Sequence, residues 1–193
     1  MADWRGWLRW GAVVAAVAVA TNVAFVVLLP RVIMEVAHPL AARRSAVNAL
    51  YHAPPITAAN QEVVRSSPDL IYSICAFDLS DGPLRVTAPL TGAYMSLSCY
   101  QMNTVCFFVR NDRQVGEAGF DIVLVGPHDT PPEDMPEDMP GEVVRSPSNR
   151  GLLLFRNFAG DGAQVAAIEA ARSLANCAPL QEWDTANDLE HAP

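Results

Sequence analysis

The sequence predicts a mainly β domain closed by one C-terminal α-helix and preceded by one N-terminal transmembrane helix. Three observations carry this. Between Asp69 and Arg110, three apolar runs rich in β-branched and aromatic residues are separated by the turn residues Asp81-Gly82-Pro83 and Pro89 to Gly92. Gly11 to Leu29 contains no charge. Near the C-terminus, Val165, Ile168, Ala171, Leu174 and Ala175 recur at helical spacing.

The N-terminus comes first. Trp4, Trp7 and Trp10 share one helical face with Arg5 and Arg9 between them, a composition suited to the headgroup level of a membrane. The uncharged run that follows has the length, at ~1.5 Å per residue, to cross a hydrocarbon core of ~30 Å. Thr21 and Asn22 are its clear polar interruptions, and Pro30-Arg31 closes it. A cleaved signal peptide is the rival reading, because Ala18-Val19-Ala20 resembles a cleavage site. The apolar run continues past that site to Leu29, longer than a cleavable segment needs, so an uncleaved anchor over 1–30 is the reading taken. Arginines stand on both flanks (Arg5 and Arg9 against Arg31, Arg43 and Arg44, offset by Glu35), so counting them barely decides orientation.

Residues 31–62 read as a connector with a short helix from about His38 to Tyr51, ended by Ala53-Pro54-Pro55. The β domain follows over 63–180. In its first strand, Leu70 to Leu79, both alternating faces are largely apolar, as in a strand buried on both sides. In the third run, Tyr94, Ser96, Ser98 and Tyr100 fall on one face and Met95, Leu97 and Cys99 on the other: a row of hydroxyls backed by core. Thr104 to Val109, Phe120 to Val125, Glu142 to Ser146 and Gly151 to Phe158 supply further strands. Gly126 to Gly141, with its tandem PEDM repeat, reads as a solvated surface loop. The last helix is expected to be capped by Asp161 with Gln164 as capping-box partner. An acidic tail over 181–193 has little to bury.

Charge and cysteine usage restrict function. All 13 basic residues are arginine, and from Pro30 onward 11 Arg face 20 Asp plus Glu, a balance of −9. Such a domain repels phosphate backbones, so nucleic acid is not an expected partner. Cys75, Cys99, Cys106 and Cys177 form no CxxC pair, and His38, His52, His128 and His191 are scattered without zinc spacing. Cys75, Cys99 and Cys106 lie in apolar runs, where a thiol serves as a small buried hydrophobe. In an exported domain a disulfide becomes available, with three pairings that sequence leaves open.

No GxSxG, HExxH, glycine-rich phosphate loop or other cofactor motif occurs, and no cofactor or metal is expected. Asp69, Asp78 and Asp81 suit turns and strand ends better than a paired-carboxylate site. Arg156 sits among Leu154, Phe155 and Phe158, where its guanidinium needs either an ion-pair partner or a ligand. The Tyr94 row offers aromatic platforms and hydroxyls that suit sugars or lipid headgroups, against the alternative of an ordinary solvated or covered sheet face. The candidate ligand-binding residues are Tyr72, Tyr94, Ser96, Ser98, Tyr100, Asn103 and Arg156.

The segments DLIYSICAFDLSDGPLRVTAP, AYMSLSCYQMNTVCFFVRNDRQ, DIVLVGP and VVRSPSNRGLLLFR, in this order from about Val63 to Leu180, resemble the bacterial family called domain of unknown function 1254. Its long members read DTLYS near Asp69 to Ser73, a GP turn near Gly82-Pro83 and a VxRSP turn near Val143 to Pro147, and they continue into a second β domain, the domain of unknown function 1214. This chain resembles the short, single-domain type with an anchor. Val105 and Cys106 stand where members usually carry a polar stretch with Asp or Asn. The resemblance implies an antiparallel jelly-roll-like β-sandwich that faces the periplasm from the inner membrane with a cytoplasmic N-terminus, and no established reaction. The expectation is an envelope binding or assembly module, with a periplasmic hydrolase or other enzyme of carbohydrates or lipids as the alternative. The second domain its relatives carry suggests a separately encoded partner resembling it.

Overall fold

The computed structural model describes residues 4–57, 66–129, 141–160 and 162–180. The connector residues 58–65, the cap candidate Asp161, most of the PEDM loop and the acidic tail lie outside the described residues. Two sheets face each other. The first has the order β1-β2-β8-β4-β5 and the second β7-β6-β3-β9. The strands are β1 (Leu50–His52), β2 (Leu70–Asp78), β3 (Leu84–Ala88), β4 (Met95–Gln101), β5 (Cys106–Asn111), β6 (Phe120–Val125), β7 (Glu142–Arg145), β8 (Arg150–Phe158) and β9 (Asn176–Pro179). Among the described residues, two helices, α1 (Trp4–Ser45) and α2 (Val165–Arg172), complete the order. The mainly β expectation holds, with one long N-terminal and one C-terminal helix. The second sheet is mixed rather than purely antiparallel, because β7 runs parallel to β6.

The core lies between the sheets. Cys75 and Phe77 of β2, Leu153 and Phe155 of β8, and Leu97 and Cys99 of β4 meet Leu84, Val86, Phe120, Ile122 and Leu124 of the second sheet. Phe120 and Phe155 pack edge to face across the gap. Burial of each such side chain contributes roughly 1.5–3 kcal/mol. A disulfide joins Cys75 of β2 to Cys177 of β9 and so ties one sheet to the other. Gly151 belongs to the same layer: a Cβ there would collide with the Tyr100 carbonyl and the Phe77 ring. The outer edge of β5 is blunted by its own neighbours. Arg110 Nη1 donates to the Val109 carbonyl and Asn111 N–H donates to Gln114 Oε1.

Three elements differ from the sequence expectation. The helix that carries the apolar run does not end at Pro30. The helix passes through Pro30 and Pro39 to Ser45, 42 residues in all, so much of the connector is helix. Pro30 leaves the Val26 carbonyl without its helical donor; beside it the Arg31 guanidinium reaches back to the Val27 carbonyl. Packing holds the later turns: Met34 and His38 are buried, His38 Nε2–H donates to the Phe77 carbonyl, and Glu35 pairs with Arg150. The expected helix from His38 to Tyr51 is thus the end of α1, followed by β1 on the edge of β2. Finally, α2 is short. Ile168 is buried, but Leu174 is exposed because the chain leaves the helix at Ser173 and turns into β9, which pairs with β3. Gln164 stands at the cap position and makes no side-chain cap bond.

Candidate functional site

The outer face of the five-stranded sheet carries most of the sequence-predicted residues. Strand alternation puts Tyr72, Arg156 and Ser96 side by side across β2, β8 and β4. One step along β4, Ser98 lies beside Leu154, and Tyr100 follows beside Leu152. Arg156 is the centre. Its Nη2 donates to the Tyr100 hydroxyl at 2.7 Å and its Nη1 to Ser98 Oγ at 3.4 Å. Among the described residues its guanidinium faces hydroxyls and no carboxylate, so the charge there is not neutralised by an ion pair. Tyr72 accepts from the Ser67 N–H through its hydroxyl. Ser96 and Ser98 are buried, whereas Tyr94, just before β4, is about half exposed. Asn103 does not join the group. It lies in the β4–β5 turn, where its Oδ1 accepts from the Val105 N–H.

An incompletely matched guanidinium with three tyrosines and two serines around it can accept a carboxylate, sulfate or phosphate while an aromatic ring supports a sugar. Two open clefts among the described residues lie elsewhere. One of about 510 Å³ is bordered by Asn48, Asp78, Asp81 and Asn176. The other, about 570 Å³, is bordered by Ser80, Met102, His128, Asn149 and Arg150 and also touches Asp78. Asp78 has the turn role expected of it: Oδ1 accepts from the Ser80 N–H and hydroxyl, while Asn48 brackets its backbone N–H and carbonyl.

A second polar cluster is not legible in the sequence. His52 Nδ1 and Ser73 Oγ are 2.8 Å apart across the β1–β2 pair. Arg172, itself buried, is held by Glu169 in a bidentate pair and donates to the Ala53 and Tyr72 carbonyls. Burial, and then the charge of Arg172, pushes the His52 pKa below its ordinary value near 6.5, so the ring is neutral at pH 7. Ser73 is almost fully buried, which makes this pair a clasp between α2, β1 and β2 rather than an accessible nucleophile. Deep in the sandwich, the Asn157 amide has neither of its polar side-chain atoms paired. Among the described residues no group of three His, Cys, Asp or Glu side chains could hold a metal ion.

Comparison with known proteins identifies the family. The family model described as protein of unknown function DUF1254 matches residues 47–179, from the turn before β1 to the end of β9. The chain belongs to that family. No curated protein matches this DUF1254 chain. Among solved structures, the VPA0106 protein from Vibrio parahaemolyticus has a TM-score of 0.61 at 19% identity, covering 83% of this chain and 37% of its own. A putative uncharacterized protein from Burkholderia cenocepacia has a TM-score of 0.45 at 18% identity, covering 74% of this chain and 39% of its own. The DUF1254 chain thus spans little more than a third of either, and the first likeness speaks for the fold.

Proposed function

We propose that this chain is a bacterial envelope protein anchored in the inner membrane by α1, N-terminus in the cytoplasm and sandwich in the periplasm, acting as a binding or assembly module. The observation that carries this is the helix itself. Over Gly11 to Leu29 it is apolar and exposed along its length, and without a break it becomes the segment docked on the sandwich. The Cys75–Cys177 disulfide supports the periplasmic side, because such bonds persist in oxidising compartments. The jelly-roll relation of the sandwich belongs to the same reading. The ligand face is the Arg156 face, with Tyr72, Tyr94, Ser96, Ser98 and Tyr100 contributing, and an anionic carbohydrate or lipid headgroup is its ligand class. Exposed apolar surface on α1 favours assembly. A separately encoded partner resembling domain of unknown function 1214 is part of the same proposal.

The test is alkaline carbonate extraction, N-terminal sequencing of the mature chain and phosphatase fused after Leu180. Retention in the membrane, an intact first helix and active phosphatase are expected. A mature chain beginning at Thr21 in the soluble fraction, or reporter activity confined to the cytoplasm, overturns the reading. The hydrolase reading has one observation in its favour, the cleft that Asp78 and Asp81 share. Asp81→Asn should then abolish any turnover of carbohydrate or lipid esters by the purified chain.

A further inference from the structure

We propose that two copies of this chain pair through the face of α1 turned away from the sandwich. The inference rests on the membrane reading above. Asn22 is exposed on the helix two residues from the middle of the uncharged run, and in hydrocarbon its amide has no water to bond. It opens a stripe of Asn22, Phe25, Leu29, Val32, Val36 and Leu40, spaced by three or four residues and therefore on one face. Met34 and His38, which dock on the sandwich, lie on the opposite side. Beyond Pro30 the stripe stays bare: Val32, Val36 and Leu40 are 57%, 62% and 56% exposed. These turns stand at the level of Glu35, which is paired with Arg150 of the domain, so neither acyl chains nor the chain's own sandwich cover them.

The occupant is a second copy for two reasons. The Asn side chain carries both a donor and an acceptor, so it complements an identical Asn placed opposite by a two-fold axis. An Asn at one seam position is also the device that fixes register in paired helices. Area agrees. The six seam side chains with Val26 and Ile33 beside them, on each of two helices at roughly 60 Å² apiece, cover about 1,000 Å², the threshold for a specific interface. Confinement to one membrane raises the effective concentration further.

The experiment uses the full chain in native membranes. Cys106→Ser removes the exposed thiol, and Val36→Cys places a reporter on the stripe, with Leu174→Cys as an exposed position on the domain. Mild oxidation should link Val36→Cys into a species of twice the mass and leave Leu174→Cys monomeric. Adding Asn22→Leu should weaken association about three- to thirtyfold, the range for interhelical hydrogen bonds. Membrane-bound but monomeric Val36→Cys overturns the pairing while leaving the anchor intact. A crosslink to a protein of different mass overturns it in favour of a foreign helix. A soluble chain trimmed past Asn22 overturns the anchor and the pairing together.

Discussion

Breaking the disulfide is the most quantitative test of the sandwich. Cys75 and Cys177 are separated by 102 residues and belong to different sheets. Closing a loop of that length in the unfolded chain removes about 16 cal/mol/K of entropy, or about 4.7 kcal/mol at 25 °C in the chain-entropy account. Single domains have only ~5–15 kcal/mol in hand, so the reduced protein should be close to the edge of folding. The assay is urea unfolding of the full chain in mild detergent, oxidised against reduced, followed by pulse proteolysis of the sandwich, because the 42-residue α1 would dominate a far-UV signal. With a slope of about 2 kcal/mol/M, the midpoint should fall by about 2 M on reduction. Cys75→Ala with Cys177→Ala should fall at least as far, since it also empties core volume. Thiol counting on the denatured, unreduced chain should find two free thiols, Cys99 and Cys106. Four thiols, or a midpoint that reduction leaves unmoved, would refute the tie between sheets.

Other expectations follow from single contacts. Gly151→Ala should destabilise by about 3 kcal/mol, because the new methyl meets the fixed Tyr100 carbonyl and the Phe77 ring; thermal melting checks it. Arg156→Met should cost less than about 1 kcal/mol of stability, since its partners are two hydroxyls on a half-open face, yet remove binding of anionic glycans or headgroups on an array. His52 sets a pH dependence. Its folded pKa is below its unfolded value near 6.5, so the unfolded chain binds the extra proton, and stability is full above about pH 6.5 and lost as pH falls toward the folded value. Melting of His52→Gln from pH 7.5 downward should lack that component.

Much of the sandwich was readable because strand burial leaves a period of two. In β4 the Tyr94 to Tyr100 row and the Met95 to Cys99 row fall on opposite faces, and the structure puts the latter in the core between the sheets, although Ser96 and Ser98 of the other row are buried as well. The Phe120–Val125 strand is bounded by glycines on both sides and matches the expected limits. What was not readable depends on contacts distant in sequence. β1 has three residues and exists because β2 offers an edge. β9 contains a proline and forms only where it meets β3. Pro30 and Pro39 argue locally for an end to the helix, but the docking of Met34 and His38 outweighs them. The candidate face was partly legible: parity alone groups Ser96, Ser98 and Tyr100, whereas the position of Arg156 among them required the β4–β8 register. The His52–Ser73 clasp left no signal, since nothing in the sequence marks His52 as part of a strand.

If α1 is the proposed anchor, its unbroken course also sets where the domain would act. From Pro30 to Ser45 it rises roughly 23 Å at ~1.5 Å per residue, and the sandwich is fastened along that rise rather than hung from its tip. A domain on a flexible tether samples a hemisphere; this one keeps a set height and turns only when the whole helix turns. Under the anchoring proposed above, its Arg156 face would sweep a thin layer just above the bilayer. The proposed ligands would then be met there by lateral diffusion, and groups attached deeper in the envelope would be beyond its reach.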